Sequence, residues 1–362
     1  IISESQQRQM MIKNKENKWW KPEIYMKNTA KRLARSRVIS EIRAYFEEQD
    51  FQEVDTPALQ VCPGMEVHLK AFTTELDSPL GESALTRHLH TSPELTMKKL
   101  LVAGLPKIYQ LCHCYRNEAI GQTHLPEFTM LEWYRKDTTY EAMMSDIEQI
   151  VKRCAARCGV KTLRFKDFTC DPFVLWERLS VAEAFQKYAH IDIMATLDED
   201  PALLPAADAL KAQAVQHGIW VSENDNWEDL FFRIMMEKIE PYLGHGRPTI
   251  LYDYPTCLGA LARRKPTDER LCERFEAYIC GVELCNAFSE LTDPSEQRKR
   301  FETDSKAKMR LYGYTYPIDE DFMQALEFGM PQASGNAMGV DRLIMLITGA
   351  EDIQDTTWAP VL

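Results

Sequence analysis

The chain has 362 residues, 45% hydrophobic and 27% charged, with a formal net charge of −12, the balance of a folded protein with one large domain or two ordinary ones. No apolar run approaches the ~20 residues of a membrane span, and the N-terminus carries no apolar signal core, so the expectation is a cytoplasmic protein without a membrane partner. The ten cysteines do not match a zinc or thioredoxin spacing, and a chain of this size needs no disulfide staples, so reduced and mostly buried thiols are expected. A metal site built on Cys112, His113 and Cys114 is disfavoured, because successive residues of a strand face opposite ways.

The charge is uneven. Residues 1–37 hold ten Lys or Arg against three Asp or Glu, leaving −19 for the remainder. A solvated basic tail and a docking arm for an acidic partner both fit that stretch. From Ala30 to Gln49, Leu33, Val38, Ile39, Ile42, Tyr45 and Phe46 recur at helical spacing. The stretch "DFQEVDTPAL" turns extended and stops at Pro57. "TSPELTMKKLLVAG" reads as a helix with Ser92 as N-cap, Pro93 in first position and Gly104 past the end. "KIYQLCHCYRNE" and "EFTMLEWYR" read as two strands around a loop, and Thr139 to Gly159 as an amphipathic helix. Residues 160–245 read as an inserted helical subdomain with a capping box at Ser180 and Glu183. "TILYDYP" and "ERFEAYICGVEL" follow as strands, then two helices (Pro294–Tyr312, Asp319–Gly329), and a small-residue strand feeding a last apolar helix. Strands and helices without regular βαβ alternation predict an α+β fold.

Three constellations carry chemistry. Arg116, Glu118, His124, Glu127 and Phe128 surround one loop, offering a guanidinium fork for phosphate or carboxylate and a flat face for a ring. Glu276, Glu283 and Glu290 fall seven apart, with Asn286 between the last two. Carboxylates sharing a site need a cation, such as Mg²⁺ on ATP phosphates, and the odd spacing requires a bulge or bend near Gly281 or Asn286–Ala287. Gly335, Gly339 and Arg342 place small residues and a cation where a helix opens. Singly, each also fits a solvated ion pair, solvated acids, or helix–sheet packing. Jointly they form a kit for activating a carboxylate with ATP.

With these residues in view, the sequence resembles the class II aminoacyl-tRNA synthetases, and their lysyl branch in particular. "RVISEIRAYFEEQDFQEVDTPAL" is similar to motif 1, "YRNEAIGQTHLPEFTMLEWY" to motif 2, "GNAMGVDRLIML" to motif 3, and "GVELCNAFSELTDPSEQRKRF" to the lysyl signature. The resemblance implies an α+β class II core over 31–362, an antiparallel sheet flanked by helices, after a basic extension over 1–30. It implies ATP and Mg²⁺ as cofactors. Arg116 and Arg342 would be catalytic, holding the α- and γ-phosphates. Asn117, Glu118, His124, Leu125, Phe128, Glu283, Leu284 and Gly339 would complete the ATP site, and Glu276 with Glu283 would bind the metal. Ser92, Glu94, Glu132, Tyr134, Asn286, Glu290 and Ala337 would bind the amino acid, with Glu132 and Glu290 around a side-chain ammonium.

About 30 residues precede motif 1, so no anticodon-binding OB domain is expected, and tRNA is a disfavoured partner. The chain is then similar to free-standing lysyl-synthetase paralogues that attach lysine, preferably (R)-β-lysine, to a lysine of elongation factor P. A homodimer is implied by the same resemblance. The alternative is a truncated enzyme that charges tRNA or another acceptor. Ala337 stands where the lysyl synthetases carry Gly, and its methyl would favour a displaced amine by about 1–3 kcal/mol. Leu125 replaces the usual Asn after His124, and Ala287 replaces a usual Gly, which would tighten the pocket.

Overall fold

A computed structural model describes residues 18–77, 84–201 and 203–360. Residues 1–17, which carry much of the basic extension, lie outside the described residues. Within the rest of that stretch, Lys31 pairs with Asp355 at 2.7 Å, Arg32 donates to the Thr357 carbonyl at 2.9 Å, and Arg35 pairs with Asp341. These bases are spent inside the molecule, tying its first helix to its last segment.

Helix α1 (Thr29–Glu48) buries Val38, Ile42, Tyr45 and Phe46, one stripe at helical spacing. Phe46 stacks on Tyr109 with ring centroids 4.5 Å apart and meets Trp133 edge-on. The helix runs down into a nine-stranded sheet. Its strands are β1 (Gln52–Glu53), β2 (Lys107–Tyr115), β3 (Glu127–Lys136), β4 (Glu177–Ser180), β5 (Thr249–Pro255), β6 (Arg264–Lys265), β7 (Asp268–Ile279), β8 (Val282–Ser289) and β9 (Ala333–Gly339). The order is β1-β2-β3-β9-β8-β7-β5-β4, with β6 paired to β7. Only the outermost pairs, β1 with β2 and β4 with β5, are parallel. The sheet is thus antiparallel at its centre, as the α+β expectation has it.

Helix α2 (Glu94–Val102) begins one residue later than the sequence suggests, but Ser92 Oγ still accepts from the Glu94 N–H at 3.1 Å. Helix α3 (Tyr140–Arg157) buries Met143, Ile147, Ile150, Val151 and Cys154 against α1 and the sheet. Residues 160–245 are less helical than expected. They hold a hairpin (Leu163–Phe165, Phe168–Cys170), strand β4, and then helices α4 (Asp208–Gln216) and α5 (Trp227–Ile234) around their own apolar cluster. The Ser180–Glu183 capping box is present.

"ERFEAYICGVEL" is not one strand. It breaks at Cys280 and Gly281, both with positive φ (53° and 73°), into the β7–β8 hairpin. Helices α6 (Pro294–Tyr312) and α7 (Glu320–Gly329) precede β9, which runs into α8 (Val340–Thr348). Helices α1, α3 and α8 cover one face of the sheet, leaving the other for a cleft near α2 and α7. All ten cysteines are free, and seven are buried. No helix among the described residues is long and apolar enough to cross a membrane.

Candidate active site

A cavity of about 410 Å³ opens over the centre of the sheet. Sixteen of the residues singled out from the sequence line it: Ser92, Glu94, Arg116, Glu118, His124, Leu125, Phe128, Glu132, Tyr134, Glu283, Leu284, Asn286, Gly335, Ala337, Gly339 and Arg342. Asn117, Glu276 and Glu290 do not. Asn117 instead fixes the loop through its backbone N–H to the Lys70 carbonyl, 2.6 Å.

One end of the cavity is cationic. Arg116 leaves the end of β2, and its guanidinium lies 5.2 Å from the centroid of the Phe128 ring. Arg116 Nε is buried without a partner, so the fork is not exhausted by the protein. Arg342, in the first turn of α8, donates to the Glu283 carbonyl at 2.7 Å and the Thr123 carbonyl at 3.3 Å. Its Nη2 lies 2.7 Å from His124 Nε2. Burial and the two neighbouring guanidiniums push the His124 imidazole down to about 4, so it stays neutral and accepts from Arg342. Behind this end, Asp341 ties three elements together: it pairs with Arg35 of α1 and accepts from the Thr129 N–H of β3 at 2.6 Å. A cationic cavity with an aromatic plate fits a nucleoside triphosphate.

The other end is acidic. Alternation on β3 turns Glu132 and Tyr134 to the same face, opposite Ala337 and Gly335 of β9. Glu132 is 1% exposed; it accepts from Ser92 Oγ at 2.7 Å and from the Tyr134 hydroxyl. Glu290 is wholly buried, and Oε1 has no partner in the protein. Burial raises Glu132 to about 8, with Glu94 adding to it. Burial likewise raises Glu290 to about 8, partly offset by Lys98 and reinforced by Glu94. Buried, reluctant carboxylates, one of them with an orphaned oxygen, fit an ammonium ligand. Gly335 is needed for the protein's own packing, since a Cβ there would lie 2.3 Å from the Tyr134 ring and 2.6 Å from Glu290 Oε1. Ala337 sits in register with both Glu132 and Asn286, so its methyl does border the acidic end. Ala287 does not: it is fully buried in the core on the other face and cannot tighten the cavity. Leu125 likewise joins the core while edging the cavity.

Of the evenly spaced glutamates, Glu276 and Glu283 are brought together by the hairpin turn at Cys280 and Gly281, the bend expected there, while Glu290 lies at the acidic end with Lys98. Glu276 is opposite Asn286, and Glu283 is opposite Tyr278 where the register shifts. Glu276 is engaged by the protein: Tyr254 and Tyr278 donate to it at 2.6 and 2.7 Å, and Arg274 pairs with it at 2.7 Å. Glu283 is 42% exposed and meets Arg342 at only 3.4 Å. Glu240, from the inserted segment, joins them. Burial, then Glu276 and Glu283, raise it to about 7. Mutual repulsion of three acids beside the cationic end fits a magnesium ion at Glu283, with Glu276 contributing only on release from Arg274.

Three participants escape a reading of the sequence. Lys98, 1% exposed, lies 2.5 Å from both Glu94 and Glu290. Its i,i+4 spacing from Glu94 was the one available signal. Arg274 fixes Asn286 by donating to Oδ1 at 3.0 Å and holds Glu276. Glu240 arrives from a distant segment that offers no sequence signal.

Residues 23–361 match the family described as tRNA synthetases class II (D, K and N). Among curated proteins, the chain is similar to an "Elongation factor P--(R)-beta-lysine ligase" of Haemophilus influenzae (strain PittGG), 38% identical over 336 residues, 93% of this chain and 95% of the relative. The ligase of that name from Haemophilus ducreyi is 38% identical over 323 residues, 89% and 91% of the two chains. The one from Erwinia tasmaniensis is 37% identical over 336 residues, 93% and 95%. With the match spanning nearly the whole core described above, the chain belongs to the class II tRNA synthetase family, and within it to the elongation factor P–(R)-β-lysine ligases.

Proposed function

We propose that this chain is an ATP-dependent ligase that activates lysine, with (R)-β-lysine preferred, as an aminoacyl-adenylate and attaches it to a lysine side chain of elongation factor P. The observation that carries this reading is one cavity with two guanidiniums at one end and the carboxylates of Glu94 and Glu132 at the other, with Glu290 and its orphaned oxygen buried just behind them. A molecule bearing both a carboxylate and a terminal ammonium spans those ends. Names of the relatives supply the acceptor.

In this reading Glu132, Tyr134 and Glu290 hold the side-chain ammonium, and Ser92 orients Glu132. Glu94 takes the second amine. Asn286, steadied by Arg274, meets the carboxylate beside Arg116. Phe128 bears the adenine, with Glu118 and His124 beside it, while Arg116 and Arg342 neutralise charge as the lysine carboxylate attacks the α-phosphate. Glu283 would hold a magnesium ion, which would supply neutralising charge for the departing pyrophosphate. The acceptor lysine amine then attacks the mixed anhydride, and AMP leaves. Two copies of the chain pair through α1 and the segment after it, where Leu33, Leu59 and Val61 are exposed.

The test is the intact mass of elongation factor P after incubation with the protein, Mg-ATP and either isomer. A gain of one lysyl group, faster with (R)-β-lysine, is expected. No gain, with lysine-dependent ATP–pyrophosphate exchange intact, moves the acceptor elsewhere and overturns the assignment.

The acidic end also sets a pH dependence. Glu132 and Glu290 bind protons more tightly folded than unfolded, so their contribution to stability is full below about 4.5 and is lost as pH rises through about 8. Each retained proton costs about 1.4 kcal/mol per pH unit across that window. Bound lysine relieves the cost. Hence the Tm gain produced by lysine should grow between pH 5.5 and pH 8; a flat or falling gain in thermal unfolding would place the ammonium elsewhere.

A further inference from the structure

Behind the acidic end lies a cluster that the proposed reaction does not use. Cys112 and Cys114 share one face of β2, two residues apart, with their Sγ atoms 3.9 Å apart. His113 points the other way, with Nδ1 3.4 Å from Glu127, in line with the strand alternation. The imidazole that completes the trio comes from another segment. His90 Nε2 lies 4.0 Å from Cys112 Sγ. Among the described residues, these three are the one group whose possible ligand atoms all lie within 4.8 Å of one another.

We propose that His90, Cys112 and Cys114 form a binding site for a thiophilic divalent cation, zinc. The distances support it. With Zn–S near 2.3 Å and Zn–N near 2.0–2.1 Å, a tetrahedral site has S···S edges of about 3.8 Å and S···N edges of about 3.6 Å. The thiol pair is already at that separation; the imidazole is about 0.4 Å too far on its Cys112 edge and lies within 4.8 Å of Cys114 Sγ. His90 and Cys114 are 1% and 0% exposed, and His90 Nδ1 is buried without a partner. On binding, Nε2 leaves the His113 carbonyl, now 2.8 Å away, the ring proton resides on Nδ1, and both thiols release their protons. A groove lined by Asp55, Thr56, Pro57 and Leu111 reaches His90 and Cys112, admitting the cation and water for the fourth position. Soft thiolates with one imidazole select zinc over the magnesium of the carboxylate cluster.

The placement gives the cation a consequence. His90 stands two residues before Ser92, and Cys114 two residues before Arg116. Their segments are joined by a single backbone bond, Tyr115 N–H to the His90 carbonyl at 3.1 Å. Zinc would add a cross-link between the segment carrying Ser92 and Glu94 and the strand carrying Arg116.

The test loads the full-length reduced protein with zinc alone, removes free metal by gel filtration, and measures bound zinc per chain. About one zinc per chain is expected, falling at least tenfold in Cys112→Ser and in His90→Met. Cobalt substitution should give a thiolate-to-cobalt charge-transfer band that Cys112→Ser removes. No retained zinc in the parent protein overturns the proposal, as does retention unchanged by both substitutions. Should a variant fail to fold, slower alkylation of Cys112 in the zinc-loaded parent decides; an unchanged rate overturns the site.

Discussion

Arg342→Ala is expected to lower lysine-dependent ATP–pyrophosphate exchange by about 10³-fold, while leaving the protein folded. The estimate follows from what the guanidinium does. It is aimed by three fixed partners, the carbonyls of Glu283 and Thr123 and the neutral His124 ring. In the proposed reaction it would meet developing phosphate charge without reorganising, and removing one such preorganised group costs about 10²–10³ in rate, or more for an arginine on a transferring phosphoryl group. Folding is spared because its partners are mostly carbonyls at the edge of the cavity, and the buried tie behind it runs through Asp341 and Arg35. Arg116→Ala should act at least as strongly, since in the proposed reaction Arg116 serves both the phosphates and the amino-acid carboxylate. Exchange within tenfold of the parent in either variant would remove the adenylation step from this cavity.

The elements most legible in the sequence were those with a long single period. Helices α1 and α3 carry one apolar stripe each, and β2 and β3 flank a loop whose polar residues have no packing role. The residues lining the cavity were legible as candidates, but their roles came from resemblance, because spacing alone left Arg116 and Glu118 as ordinary surface charges. The run through Gly281 was misread because a hydrophobic strand and a tight hairpin share one composition. The turn is set by two positive-φ residues, one of them the non-glycine Cys280. Ala287 was misread for a related reason: one step along β8 reverses the face, and only the register against β9 shows that it meets the core. Lys98, Arg274 and Glu240 act through tertiary pairs, which periodicity does not encode. Glu276 shows the reverse case, a residue whose part in a metal site the resemblance implied but whose side chain the structure commits to two tyrosines and an arginine.

Lys98→Met is the variant that most directly probes the acidic end. Lys98 touches no part of the cavity that a substrate would fill, yet its ammonium lies between Glu94 and Glu290 and over the Phe288 ring at 5.1 Å. Removing it leaves the wholly buried Glu290 and the partly buried Glu94 without their cation, a change that costs about 3–5 kcal/mol when a buried partner stays ionised. The cheaper response is protonation. Burial already raises Glu290 to about 8, and Lys98 is the main influence opposing that rise, so its loss should push Glu290 further up and make the ionised form harder to reach at pH 7. A neutral carboxyl is a poor partner for an ammonium. The KM for lysine should therefore rise at least tenfold, about 1.4 kcal/mol, with the KM for ATP nearly unchanged, and the loss should shrink as pH is raised. Lys98→Met with Glu290→Gln should regain thermal stability, because it removes the uncompensated acid, without regaining lysine affinity. Parallel increases in both KM values would make Lys98 a general packing residue. An unchanged lysine KM would mean that Glu290 does not face the ammonium at all.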